Sequence, residues 1–148
     1  QLGPDKANLL GSLLATQFQL AAMARTNQPE DERTDFYLFI DEFQNFSTDV
    51  FASMLAEARK YHLCLTLCHQ YVDQLSLPVR RAVFGNVGTL VAFRVGHTDA
   101  ELMEKEFGKT FSATTLADLE RYEVVVKLLE HGTNRTPGYS TRCARPRE

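Results

Sequence analysis

After Gly3-Pro4-Asp5, apolar residues recur at helical spacing through Leu10, Leu13, Leu14, Phe18 and Ala21, with Leu9, Leu20 and Ala22 widening the stripe. This spacing predicts a long helix with Asp5 as its N-cap. A helix with so broad an apolar face needs a large surface to pack on. Asn27 to Asp35 is polar, contains Pro29 and reads as an exposed acidic loop. Phe36-Tyr37-Leu38-Phe39-Ile40 then gives five apolar residues without alternation. That is the pattern of a strand covered on both faces, as in a parallel sheet with helices above and below.

The alternation continues. Phe51, Met54, Leu55 and Ala58 stand at i, i+3, i+4 and i+7, predicting a helix over 49–61 capped by Ser47 or Thr48. Leu63 to Leu67 reads as a second buried strand. A loop and short helix run through Pro78 to Phe84, Gly85 to Gly88 form a turn, and Thr89 to Val95 is a third strand. Thr98 and Glu101 have the form of a capping box opening a helix toward Phe107. Leu116 to Tyr122 is a further helix, and Glu123 to Leu129 a fourth strand. Phe36, Phe39, Phe51 and Phe107 are core candidates. Strands alternating with helices predict an α/β layered fold. Residues 1–132 form the domain, and 133–148, with Arg135, Arg142, Arg145 and Arg147, an arginine-containing tail.

Composition narrows the classes. The 148 residues are 44% hydrophobic, 10% aromatic and 24% charged, which excludes a disordered chain. No apolar run approaches the ~20 residues that span a bilayer, and no signal peptide opens the sequence. With a formal net charge of −3, any attraction to nucleic acid must be local. Cys64, Cys68 and Cys143 cannot all pair, and two lie in an apolar segment; they read as reduced and buried, which suits the cytoplasm. The chain starts at Gln1 rather than Met, as an excised piece would.

The residues with the clearest chemistry end the first strand. In FYLFIDEF a buried parallel strand delivers Asp41 and Glu42 to the carboxyl edge of the sheet, where such folds bind ligands. The first carboxylate can hold the water shell of Mg²⁺, and the second can take a proton from an attacking water. A solvated Asp-Glu at a strand end is the plain alternative. Gly108-Lys109-Thr110 resembles the end of a P-loop, but Met103 stands where the pattern needs glycine, and Glu101 to Phe107 reads as an acidic helix. We therefore reject it as a phosphate cradle, which leaves half of a nucleotide site. Cys64 and Cys68 lie on one face of a strand roughly 13 Å apart, too far to share one zinc. His62, His97 and His131 fall near element ends and read as solvated.

Several ordered blocks carry a resemblance. DEFQNF is followed by EARKY (Glu57 to Tyr61), LCLTLCHQY (Leu63 to Tyr71), VFGNVGTLVAFRVG (Val83 to Gly96) and Asp99-Ala100. From about Gly3 to Gly132 this order resembles the C-terminal half of the motor domain in TraG/TraD-type conjugative coupling proteins and related type IV secretion ATPases, of the HerA–FtsK superfamily. The resemblance implies a partial RecA-like α/β domain, a mostly parallel sheet flanked by helices without its P-loop half. It implies a parent hexamer that uses ATP and Mg²⁺ to drive DNA toward secretion-channel proteins at the inner face of the cell membrane. Asp41 and Glu42 then match the Walker B pair, Asp41 holding Mg²⁺ through water. Gln70 matches the glutamine that senses the γ-phosphate or orients the water, and Arg59 the arginine reaching a neighbouring subunit's nucleotide.

Arg94 is a second candidate for that finger, and Arg80 and Arg81 are candidates for DNA contact. Each has a structural alternative: Arg59 snorkels or pairs with a carboxylate, Gln70 caps the next segment, Arg94 pairs with Asp99, and Arg80-Arg81 lie on a solvated helix face. The isolated chain is expected to lack ATPase activity and to self-associate. Two rival readings are a HerA-like DNA-processing translocase and a non-catalytic interaction module derived from such an ATPase.

Overall fold

Two parallel strands, β1 (Phe36–Ile40) and β2 (Leu63–Leu67), pair residue for residue from Phe36 with Leu63 to Ile40 with Leu67. They lie where the apolar runs predict them. The structure, a computed structural model, describes residues 3–46, 49–130 and 133–142. The chain divides into two compact units, Gln1–Asn86 and Val87–Glu148.

In the first unit the strand pair is pinned at its starting end by side chains. Phe36 N–H donates to the His62 carbonyl at 2.9 Å, and Asp35 pairs with His62 at 2.8 Å, so this histidine is engaged rather than solvated. Arg25 donates to the carbonyls of Thr34 (2.8 Å) and Tyr61 (3.1 Å), and Arg33 to that of Lys60 (2.6 Å). Backbone carbonyls at the approaches to both strands thus share two guanidinium forks. Those bonds fix the parallel register before either strand begins.

Helix α1 (Pro4–Met23) starts two residues earlier than the cap assignment to Asp5 implied: Gly3, extended at ψ 158°, is the N-cap and Pro4 the first helical residue. Proline suits that place because its missing N–H would have no helical partner there. Phe18 stacks on Phe36 at 5.7 Å, tying α1 to β1. α2 (Asp49–Glu57) continues as a 3-10 turn over Ala58–Tyr61. Its stripe of Phe51, Met54, Leu55 and Ala58 is buried as its spacing predicts. The caps expected at Ser47 and Thr48 lie outside the described residues. α3 (Leu77–Asn86) buries Val79 and Val83 and absorbs Gly85 and Asn86, which the sequence suggested were a turn.

Coverage of β1 differs from expectation. Phe36, Tyr37 and Phe39 are exposed (40%, 64% and 72%), as are Leu9, Leu10, Leu13, Leu14 and Leu20 of α1. Phe36 and Phe39 are therefore not core, whereas Phe51 and Phe107 are. The apolar run reports a strand suited to two-sided burial, but among the described residues only β2 pairs with it.

In the second unit β3 (Leu90–Ala92), β4 (Glu123–Glu130) and β5 (Thr133–Arg142) form an antiparallel sheet in that order. The parallel pair flanked by helices is thus joined in sequence by a sheet of opposite character. β5 occupies most of the stretch read as a tail. Its Pro137 and Gly138 look like strand breakers in the sequence. The register is irregular there: Val126 pairs with Tyr139 but Leu128 with Arg135. A residue without an N–H is accommodated at such an irregularity.

α4 (His97–Glu106) is capped by Gly96 without a side-chain bond, so the Thr98 capping box does not form. α5 (Ala113–Ala117) ends earlier than Tyr122 and is capped by Ser112, whose hydroxyl accepts from Thr115 N–H at 3.1 Å. Among the described residues, Ala92, Ala100, Met103, Phe107, Leu116, Leu119, Val124 and Val125 are this unit's buried apolar residues, and Asp99 is buried with them. Among the described residues no helix is long and apolar enough to cross a membrane.

Two glycines test the packing in opposite directions. A Cβ on Gly11 would overlap the Phe46 ring, whereas one on Gly85 would meet nothing within 4 Å. Gly11→Ala is expected to destabilise the chain by about 1–3 kcal/mol, and Gly85→Ala to stabilise it by about 0.5–1 kcal/mol, both read by urea denaturation. Equal effects from the two substitutions would contradict this packing.

Candidate nucleotide-facing site

The carboxyl ends of β1 and β2 are held together by backbone bonds that continue past the strands. Cys68 N–H donates to the Ile40 carbonyl at 2.9 Å, and Phe43 N–H donates to the Cys68 carbonyl at 3.1 Å. Between these two bonds the chain must turn sharply. Glu42 makes the turn in the left-handed region (φ 51°, ψ 41°), a conformation costly for a residue with a Cβ. Phe43 pins it. Its ring is fully buried, 5.9 Å from the Phe51 ring and edge-on to His69 at 5.2 Å.

This turn sets the carboxylates. Asp41 is exposed, and its Oδ1 accepts the Glu42 N–H at 3.0 Å. Glu42 is half-buried, and its Oε1 accepts from the Gln70 side-chain amide, 28 residues away at the end of β2. Its Oε2 accepts from the Gln44 amide at 2.5 Å. The structure therefore brings together three of the residues singled out in the sequence, Asp41, Glu42 and Gln70, and adds Gln44. Sequence reasoning missed Gln44 and Phe43. The available signal was DEFQ itself, where an aromatic residue directly after the acidic pair anchors a turn and the next side chain folds back.

The arginines singled out in the sequence fall on other elements. Arg59 lies exposed in the 3-10 turn after α2. Arg80, half-buried, and Arg81, exposed, lie on α3, while Arg94 is exposed in the second unit after β3. Among the described residues of the first unit, Arg59, Arg80 and Arg81 are not hydrogen-bond partners of Asp41, Glu42 or Gln70.

Gly108 and Lys109 end α4. Both have positive φ (66° and 62°), Gly108 N–H donates to the Lys105 carbonyl (3.0 Å) and Lys109 N–H to that of Glu104 (2.8 Å). This is a Schellman cap. Its N–H groups are spent on helix carbonyls, which removes them from any phosphate.

Cys64 and Cys68 are free thiols, the first half-buried and the second exposed, so only one fits the expectation of burial. Cys143 and His131 lie outside the described residues; His97 is exposed. Burial, and secondarily the Asp35 carboxylate, push the Cys64 thiol above its ordinary value.

No protein-family model matches the chain, and no curated protein matches it. Solved structures do. Plasmid coupling protein TrwB in complex with the non-hydrolysable ATP analogue ADPNP matches with a TM-score of 0.70 at 17% identity, over 93% of this chain and 37% of that one. TrwB in complex with ADP and Mg²⁺ matches with 0.66 at 17% identity, over 88% and 35%. VirB4 of Thermoanaerobacter pseudethanolicus matches with 0.55 at 19% identity, over 86% and 35%. The fold is accordingly a partial RecA-like α/β fold like that of TrwB, and the chain spans little more than a third of these structures' length.

The thiols give a direct check. Iodoacetamide is expected to modify Cys68 before Cys64, as read by peptide mass mapping, with Cys64 lagging further behind at mildly alkaline pH. Because the folded Cys64 keeps its proton to higher pH than the unfolded one, its ionisation also opposes folding as pH rises past the ordinary thiol value. Equal modification rates would contradict the difference in environment.

Proposed function

We propose that this chain is the C-terminal part of a RecA-like ATPase motor of conjugative transfer or type IV secretion, carrying the catalytic carboxylates but not the phosphate cradle. One observation carries the reading: Glu42, turned out at the carboxyl end of a parallel strand beside Asp41, accepts a hydrogen bond from Gln70 at the end of the adjacent strand. That is the edge at which open α/β sheets take ligands. The fold likeness to TrwB, solved with ADPNP and with ADP and Mg²⁺, supports the same reading.

The residues fit the metal side of such a site. Asp41 is exposed, and only its Oδ1 is taken by the Glu42 N–H, so its other oxygen is available to a water of hydrated Mg²⁺. Bound Mg²⁺-ATP would supply an electrophilic phosphoryl group with its charge partly neutralised. Glu42 takes a proton from the attacking water at a carboxylate oxygen. In this reading Gln70, which donates to the same carboxylate, keeps base and water aligned and registers the γ-phosphate.

An arginine from a neighbouring subunit would stabilise the charge spread over the transferred group. Arg59 is our first candidate for that role and Arg94 the second, both exposed. Arg80 and Arg81 on α3 are the candidates for sequence-independent contact with DNA phosphates. Other motor subunits, DNA and secretion-channel proteins are the partners this role requires.

The 148-residue chain by itself is expected to hydrolyse no ATP above background. Expressed with its complete reading frame, the protein is expected to turn over ATP in the presence of Mg²⁺ and to lose roughly 10²–10⁴-fold in kcat on Glu42→Gln. Turnover by the isolated chain that Glu42→Gln abolishes would reveal a phosphate site within it. An unchanged rate in the complete protein would remove Glu42 from the chemistry.

A further inference from the structure

We infer that Gln44 is a positioning residue for the Glu42 carboxylate, the fixed half of an amide clamp whose other half is Gln70. The inference rests on the reading of Glu42 as the general base and adds a residue which that reading does not use.

The clamp divides the carboxylate evenly. Gln44 Nε2 donates to Oε2 at 2.5 Å, and Gln70 Nε2 donates to Oε1. A glutamate side chain otherwise rotates about three bonds, and a donor on each oxygen restrains all of them. Hydrogen bonds to a charged acceptor are roughly twice as strong as neutral ones. Each oxygen keeps a second acceptor site, so a carboxylate held this way can still receive a proton from water.

The halves are not equivalent. Gln70 is exposed and reaches across from β2. Gln44 is half-buried and sits in the 3-10 turn Phe43–Asn45, one residue after the fully buried Phe43. Phe43 is in turn bonded to the Cys68 carbonyl, so Gln44 inherits its position from the strand pair. Gln70 can therefore leave the carboxylate for another partner while Gln44 still holds it. A donor is needed at position 44: a carboxylate there would repel Glu42, and an apolar group would leave Oε2 without its donor.

The test uses isotope-labelled 148-residue chain without metal or nucleotide. Glu42→Ala is expected to move the side-chain amide resonances of both Gln44 and Gln70 upfield, leaving those of Gln17, Gln19, Gln28 and Gln74 in place. Gln44→Leu is expected to shift the Glu42 carboxyl carbon and bring its side-chain couplings toward rotamer averages. The backbone amides of β1 and β2 should not move, which separates positioning from a merely structural role. A Gln44 amide indifferent to Glu42→Ala, or a Glu42 that keeps one rotamer in Gln44→Leu, overturns the clamp. Should Gln44→Leu fail to fold, the Glu42→Ala spectra still decide.

In the complete protein, Gln44→Leu is expected to lower kcat roughly 10–100-fold with KM for ATP unchanged. An unchanged kcat there overturns the positioning role while leaving Glu42 as base. Absence of any turnover overturns the ATPase reading instead, and the spectra judge the clamp.

Discussion

The hydrogen-bonded cluster of Asp41, Glu42, Gln44 and Gln70 depends on how two parallel strands finish. Cys68 N–H bonds back to the Ile40 carbonyl and its own carbonyl accepts from Phe43 N–H, so the chain after β1 is held against the end of β2 on both sides of Glu42. With those bonds made, Glu42 has little choice but the left-handed turn it adopts. The same bonds carry Gln70 alongside, because it follows Cys68 by two residues. A site assembled from residues 28 apart in sequence thus follows from the register of a five-residue ladder. The side-chain clamps of Arg25 and Arg33 at the other end serve the same register.

The placement of the acidic pair was legible to the extent that it follows the strand. Five apolar residues ending in Asp41-Glu42 fix both the element and the edge at which the acids emerge. The stripe of α2 predicts its buried face because 3.6-residue periodicity reports burial directly. Gln44 was not legible, since a glutamine in a polar stretch has no periodic signature and its role appears only once the turn is built. The direction of β4 and the existence of β5 were hidden for another reason. Apolar runs do not encode strand direction, and Pro137-Gly138 imitates a loop while residing in a register irregularity. The caps of α1 and α4 went to glycines, Gly3 and Gly96, rather than to the polar residues that flank them.

The exposed apolar side chains carry a second message. Tyr37 and Phe39 on β1, with Leu9, Leu13 and Leu14 on α1, belong to a pattern made for burial but face solvent here. Large exposed apolar groups of this kind mark surfaces that other protein covers. The unit therefore has a finished interior, built on Phe43, Phe51 and Val79, and unfinished outer faces. Under the proposed function those faces meet the remainder of a longer motor, and the catalytic carboxylates stand at the edge of the same strand.

The central claim is that the closed ends of β1 and β2 hold the Glu42 turn, and amide hydrogen exchange measures it most directly. The account predicts that the Phe43 and Cys68 amides exchange as slowly as those within the β1–β2 ladder. Exchange of these two amides at the rate of exposed positions such as Asp31 would contradict it, because the turn that presents Glu42 to Gln70 would then have no anchor.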